Sequence, residues 1–282
     1  MDSNKPPCDL HLHSHYSDGT MSPEDLVSYA STVGLSAVSI TDHDTIDGQE
    51  QAIEAGKNCG IDVITGIELS IEEGRQSLHI LGYLFDRRDR RLGESIRALA
   101  YARVGRARLI VQKLAEHGAP MPFDDVLAEA GNGSVGRPHI AKVLYRRGLV
   151  SSVNEAFVRY LADGAPCNVP KEVLALESVV RLIRGAGGVA VWAHPGWYIK
   201  RGELLDGLIA AGVGGIEAWH PNHSERMAAE IAAVARGRGL VCTGGSDFHF
   251  PELMQADIGE TTAPYETVPA LRRAAAAQPH LT

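Results

Sequence analysis

Cys8 to Gly19 reads C-D-L-H-L-H-S-H-Y-S-D-G. Its opening residues alternate, so that Asp9, His11 and His13 share one side while Leu10 and Leu12 share the other. A strand has a side-chain period of two, which sets His11 and His13 side by side on one face. Two imidazoles at that spacing form half of a metal site, and imidazole suits zinc, iron, manganese and related ions. The competing interpretation is one satisfied core histidine with an incidental neighbour. Only the remaining chain separates the two.

A chain of 282 residues can bury a sizeable core, as one large α/β domain or as one domain carrying an insertion. The formal net charge of −8 argues against coating long nucleic acid through a general basic field, although a local basic patch suffices for a small anion. Cys8, Cys59, Cys167 and Cys242 are scattered with no C-x-x-C pair, so neither a disulfide framework nor a thiolate zinc site is indicated. A reducing cytoplasm is the simplest compartment. Met1 to Pro7 is short and polar, and no apolar run approaches the roughly 20 residues that span a bilayer, so no membrane role is expected.

Beyond the opening strand, Ser22-Pro-Glu-Asp25 predicts a helix start, with Ser22 as cap and Pro23 in the first helical position. Leu35 to Thr41 predicts a second strand ending in Thr41-Asp-His-Asp44, and Thr45 or Asp47 can cap the helix that follows. Ile61 to Ser70, with Glu68, and Ser77 to Phe85, with His79, predict two further strands. From about Asp89 to Ala165 the pattern predicts helices only: Arg90–His117, Pro122–Ala130, Arg137–Arg147 and Val153–Leu161, with glycine-rich Gly131 to Gly136 between the second and third. The strand–helix rhythm returns after Pro170, through Gly188 to Ala193, Gly215 to Trp219 and Leu240 to Gly244. Alternating strands and helices imply parallel strands with helices outside, and barrels keep their active sites at the strand carboxyl ends. The expected fold is α/β, a (β/α) barrel with an all-helical insertion. Its parts are residues 1–88 (barrel), 89–168 (insertion) and 169–282 (barrel).

Candidate ligands fall at those strand ends: His11 and His13, His43, Glu68, His79, His194, and Asp247 with His249. That many imidazoles and carboxylates at one mouth are compatible only with cations among them. D-L-H-L-H-S…S-D-G at Asp9 to Gly19, T-D-H-D at Thr41 to Asp44, Glu68 in G-I-E, His79, H-P at His194 and S-D-x-H at Ser246 to His249 together resemble the PHP (polymerase and histidinol phosphatase) family. The resemblance implies a distorted (β/α)7 barrel holding two to three divalent metal ions and hydrolysing phosphate esters. It implies His11, His13, Glu68 and Asp247 around a first ion. Glu68 would bridge to a second ion held by His79 and His194, and Asp18, His43 and His249 would hold a third. Asp18 stands where many relatives have histidine. Manganese is favoured, with iron or zinc as alternatives. Divalent ions at such a site lower the pKa of water and offset phosphoryl charge. His220 or His223 can supply the proton for a leaving alkoxide, and with Asp18 they are the candidate catalytic residues.

The insertion reverses the acidity. Arg87, Arg88, Arg90, Arg91, Arg97, Arg103, Arg106, Arg108 and Lys113 cluster there, and most are expected to line a solvated helix face. Arg137 differs, because it follows Gly136 where a glycine-rich loop feeds a helix N-terminus, a natural anion site. G-R-P-H-I-A, N-V-P-K at Asn168 to Lys171 and H-P-N-H at His220 to His223 resemble the PHP branch of 3′,5′-nucleotide bisphosphate phosphatases and 5′-to-3′ exoribonucleases. The resemblance implies Arg137, His139, Lys171, Asn222 and His223 as substrate-binding residues. Nucleotide or short oligoribonucleotide is the expected substrate, against the alternatives of a histidinol-phosphate-type metabolite phosphatase and a degenerate binding module.

Overall fold

The computed structural model describes residues 5–73, 76–131, 133–249 and 256–278. Asn132 of the expected glycine-rich loop lies outside them. In order, the first half comprises β1 (Cys8–Leu12), α1 (Pro23–Thr32), β2 (Ala37–Ile40), α2 (Gln49–Cys59), β3 (Asp62–Val63), β4 (Gly66–Glu73) and β5 (Gln76–Tyr83). Helices α3 (Arg90–Glu116), α4 (Phe123–Ala130), α5 (Arg137–Arg146) and α6 (Val153–Ala156) follow, and α6 widens into a π-turn over Phe157–Leu161. The last part comprises α7 (Leu176–Gly185), β6 (Val189–Trp192), a 3₁₀ turn (Gly196–Lys200), α8 (Gly202–Ala211), β7 (Gly215–Trp219), α9 (Glu225–Gly237), β8 (Val241–Gly244) and α10 (Thr267–Ala276).

Local chemistry accounts for several boundaries. Ser22 accepts the Asp25 N–H through Oγ and caps α1, with Pro23 behind it. Asp89 does the same for α3 by accepting the Leu92 N–H. Helix α2 departs from expectation: its cap is Gly48, without a side-chain bond, and the Thr45 hydroxyl instead accepts the Asp47 N–H inside the preceding turn.

The α/β class holds, but the ladders are not those of one continuous barrel. β1-β2-β3 form a parallel sheet, and β4-β5-β6-β7-β8 form a second sheet. Pairs β4/β5 and β5/β6 are antiparallel, whereas β6/β7 and β7/β8 are parallel. The reversal has a simple cause. The expected strand 61–70 breaks into β3 and β4, and the link from Glu73 to Gln76 is too short for anything but a hairpin. Two single bridges join the sheets: Leu12 with Phe248 on one side, His43 with Glu68 on the other. Both joints involve or adjoin the histidine-rich strand ends.

Buried Ile67, Ile80, Val179, Ile183, Trp192 and Ile231 belong to the largest apolar cluster, which packs α7, α8 and α9 on the second sheet. A separate cluster including Ile110, Leu114, Val126, Ile140, Leu144 and Leu161 draws all its buried members from Ala107 to Cys167. Among the described residues no helix is long and apolar enough to cross a membrane.

Candidate metal centre and its basic pocket

Three sets of side chains converge where the two sheets meet. His11, His13, Glu68 and Asp247 each present an atom within 4.8 Å of the others; so do His13, Asp18, His43 and His249, and so do His43, Glu68 and His79. Glu68 is at the hub. Its Oε1 lies 2.7 Å from His79 Nδ1 and 3.2 Å from His194 Nε2. Its Oε2 lies 3.1 Å from His43 Nδ1 and 3.3 Å from both His11 Nε2 and His13 Nε2. The β4/β5 register explains the first contact, since Ser70 pairs with His79 and Glu68 is two residues along the same face. Asp18 enters from the turn after β1, its Oδ1 3.4 Å from His249 Nε2. That turn needs Gly19, where a Cβ would meet His13 O at 2.1 Å. His194 adjoins Glu68 without joining any of the three sets, and His43 belongs to two of them.

The electrostatics of this cluster favour cations. Burial alone raises the carboxyl of Glu68, yet His43, His79 and His11 beside it hold it well below the usual range. Asp247 and Asp18, which are partly exposed, are likewise held low by histidines. The imidazoles are driven apart: burial takes His43 down to about 3, whereas Asp247 and Glu68 overcome burial and lift His13 to about 10. His13 Nε2, His43 Nδ1, His79 Nδ1 and Asp18 Oδ1 are buried without a hydrogen-bond partner among the described residues. Nitrogen and carboxylate oxygen atoms that face one another in this way fit divalent ions as the missing partners.

Further buried carboxylates hold the cluster in place. Glu217 Oε1 accepts from His11 Nδ1 at 2.9 Å, and its Oε2 accepts the His194 backbone N–H at 2.7 Å. Asp42 accepts from the Ser14 N–H and from the hydroxyls of Ser14 and Ser17, framing the Asp18 turn. Asp9 accepts the N–H groups of His11, Ser246 and Gly259, tying β1 to the segment that carries Asp247. Asp44, His194 and Asp247 have φ of 54°, 26° and 52°. Non-glycine residues rarely adopt this region, and such strain persists where surrounding bonds over-determine it.

A cavity of about 490 Å³ opens beside the cluster. Asp18, His43 and His79 line one part of it, and Arg103, Arg106, Arg137 and Lys171 another. Asp44 receives Arg103 Nε at 2.7 Å and Lys171 Nζ at 2.7 Å, and Lys171 also donates to Ser70 Oγ at 2.6 Å. Arg137 Nη1 donates to Leu161 O at 3.0 Å and Asp163 Oδ1 at 2.8 Å. Arg106 donates from Nε to Val169 O at 2.7 Å and from Nη2 to Asn168 Oδ1 at 3.4 Å, with no carboxylate paired to it among the described residues. Among the described residues it is the one cation of this wall with no carboxylate in ion-pair contact.

Several expectations need correcting. His223 donates from Nδ1 to Ala218 O at 2.9 Å and accepts the Gly196 N–H at Nε2, 3.0 Å away, so both ring nitrogens are engaged by backbone groups. His220 accepts the Asn222 N–H at Nδ1 and turns Nε2 to Asp247 Oδ2 at 3.2 Å, a contact that orients Asp247. The Asn222 side chain is exposed, and neither it nor His223 lines the cavity. His139 is buried with Nδ1 accepting the Gly136 N–H, so it shapes the loop instead of contacting the cavity. Arg103 and Arg106 are not on a solvated face. A signal existed for Arg103, which continues the buried stripe Leu92, Ile96, Leu99, Ala107, Ile110, Leu114 at spacings of three and four.

Buried histidines and carboxylates meeting at strand ends, beside a cationic cavity, define a metal-dependent hydrolase centre suited to an anionic ester. Residues 9–130 match the PHP domain. The chain is 34% identical over 258 residues to the 3′,5′-nucleoside bisphosphate phosphatase of Chromobacterium violaceum, covering 90% of each chain. It is 36% identical over 247 residues to a 5′-3′ exoribonuclease of Haemophilus influenzae, covering 86% of this chain and 90% of that one. A crystal structure from Bifidobacterium adolescentis described as a metal-dependent phosphoesterase superposes with a TM-score of 0.87 at 31% identity, covering 96% of this chain and 98% of the other. The chain therefore belongs to the PHP family.

Proposed function

We propose that the protein is a metal-dependent phosphoester hydrolase that removes a phosphate from nucleoside 3′,5′-bisphosphates, giving the nucleoside 5′-monophosphate, and trims short RNA in the 5′-to-3′ direction at the same site. The observation that carries this reading is the wall of four cations sharing one cavity with the histidine–carboxylate cluster. A substrate with two phosphates fits such a division: the cluster takes the scissile group and the wall takes the other. A histidinol-phosphate-type substrate has no second phosphate to engage that wall.

His11, His13, Glu68 and Asp247 would hold one ion, Glu68 with His79, His43 and His194 a second, and Asp18, His43, His249 and His13 a third. Two to three manganese ions suit this set of imidazoles and carboxylates without thiolate. Bound there, divalent ions supply positive charge against the phosphoryl oxygens and lower the pKa of water. The chain's own residues do the rest. Asp44 and Asp163 orient three of the wall cations, Arg106 offers a guanidinium with no carboxylate in ion-pair contact, and Glu217 and His220 fix His11 and Asp247. We read residues 89–168 as an inserted substrate-binding lobe and the two bridged sheets as one distorted (β/α)7 barrel; the separate apolar cluster and the two single bridges support these readings.

The direct test offers manganese-loaded protein adenosine 3′,5′-bisphosphate and 5′-phosphorylated short RNA. Release of phosphate or nucleoside monophosphate is expected, and no release from either substrate overturns the proposal. Arg106→Ala is expected to raise KM for the bisphosphate by roughly tenfold or more while changing hydrolysis of a simple aryl phosphate little, because a charge-assisted bond to the second phosphate is lost. Arg137→Ala should do the same more weakly, since Asp163 already engages that guanidinium.

A pH effect follows from Lys171. Burial, with Arg103 alongside, pushes its ammonium down to about 8. Its charge therefore fades as pH rises through 8, and KM for the bisphosphate should climb there. Lys171→Arg should flatten that rise. The stability sign is opposite, because the unfolded chain keeps this proton up to the ordinary lysine value. The group therefore opposes folding below pH 8, and that opposition is relieved as pH rises further.

A further inference from the structure

We infer that Trp197 and Tyr198 form a base-stacking platform for the downstream nucleotides of a single-stranded RNA whose scissile phosphate lies at the histidine–carboxylate cluster. The inference rests on the nucleotide-hydrolase reading above and assigns this turn to the polynucleotide branch of the activity. Of the three tryptophans, Trp192 is 1% exposed and Trp219 partly buried, whereas Trp197 is 71% exposed and neighbouring Tyr198 39%. Isolated exposed aromatics are ordinary, but this pair comes with interleaved cations. Lys200 Nζ lies 4.6 Å from the centre of the Trp197 ring, and the Arg201 guanidinium 5.3 Å from that of Tyr198. Aromatic faces alternating with basic side chains are the chemistry that grips single-stranded nucleic acid: rings take the bases and cations follow the phosphates.

The placement fits. Trp197 is three residues beyond His194, which bounds its reach from that histidine to about 11 Å. The turn is also pinned to the site. Gly196 donates its N–H to His223 Nε2, and His223 donates in turn to Ala218 O on β7, so this buried histidine anchors the platform. The cavity with the cationic wall is bounded by Asp18, His43 and His79, and neither His194 nor Trp197 lines it. A 5′-terminal nucleotide occupying that cavity would leave the rest of its strand to depart past His194, toward Trp197. A nucleoside bisphosphate has no downstream nucleotide to stack on the turn.

The test compares wild type with Trp197→Ala on two substrates, a 5′-phosphorylated pentaribonucleotide and adenosine 3′,5′-bisphosphate. Loss of one stacked base is expected to lower kcat/KM for the RNA about tenfold, with the bisphosphate rate unchanged within about twofold. Equal losses on both substrates, or no loss on RNA, overturn the inference, as does a wild-type enzyme that cleaves the bisphosphate but not RNA. A binding measurement separates this from failure of the catalytic reading. In chelator, the pentaribonucleotide should quench tryptophan fluorescence of wild type and much less that of Trp197→Ala, whether or not either protein hydrolyses anything. Absent quenching in wild type, or concentration-dependent dimerisation that Trp197→Ala abolishes without any effect of RNA, overturns it as well.

Discussion

Replacing Glu68 by Gln is expected to lower turnover of every phosphate ester by roughly a thousandfold, the upper range for losing a preorganised electrostatic group. The two carboxylate oxygens face five imidazoles between 2.7 and 3.3 Å away. Glutamine keeps the volume but replaces one oxygen with an NH₂ and removes the negative charge. The nitrogens of His43 and His79, already without hydrogen-bond partners, then face a neutral group that shields no cation. Metal content of the purified variant should drop together with activity, measured by elemental analysis beside a bisphosphate and a simple ester assay. The simple ester is the informative arm: Arg106→Ala spares it, and Glu68→Gln should not. Near-normal turnover with full metal content would falsify the assignment of Glu68 as the shared carboxylate.

Glu217→Gln should weaken metal binding by about 10–100-fold although Glu217 is outside all three candidate ion sets. A carboxylate accepts from His11 Nδ1 and from the His194 N–H at once. A carboxamide has one accepting oxygen, so either orientation sets its NH₂ against a donor. If it fails His11, the ring loses the bond that keeps its proton on Nδ1 and leaves Nε2, beside Glu68 and Asp247, able to ligate an ion. If it fails His194, a buried N–H goes unpaired at a residue already held at φ of 26°, a cost of about 1–3 kcal/mol. Chelator competition on the variant measures the affinity, and circular dichroism shows that the fold remains. Affinity equal to wild type would mean that the carboxylate serves packing alone.

Legibility in the sequence followed the range of the interaction. The Ser22 cap and the His11/His13 face depend on neighbours a few residues away. Glu217 stood in view as the acid of an apolar strand, yet its partners His11 and His194 are distant in the chain. Arg103 has the same problem, since its meaning comes from Asp44, 59 positions earlier. The charge of the α3 cations points to solvent, whereas the register of Arg103 with Leu99 and Ala107 points to the buried face. The hairpin β4/β5 was hidden by treating 61–70 as one strand, which also hid the reversal of direction in the second sheet. His223 shows its residue type in the sequence, but its two backbone contacts, with Ala218 and Gly196, emerge only in the fold.

The single bridges between the sheets have a bearing on how the chain folds. The apolar cluster from Ala107 to Cys167 relies on contacts close in sequence, which form quickly. The joint of β1 with the far end of the chain does not: Cys8 and Ala263, 255 positions apart, exchange both backbone bonds at 2.9 Å. Closing so long a loop costs entropy that only the completed seam returns. The Asp247 contacts with His11 and His13 cross that same seam. The first candidate ion site is therefore complete only once this seam has formed, and metal uptake during refolding is expected to follow assembly of the Ala107 to Cys167 cluster.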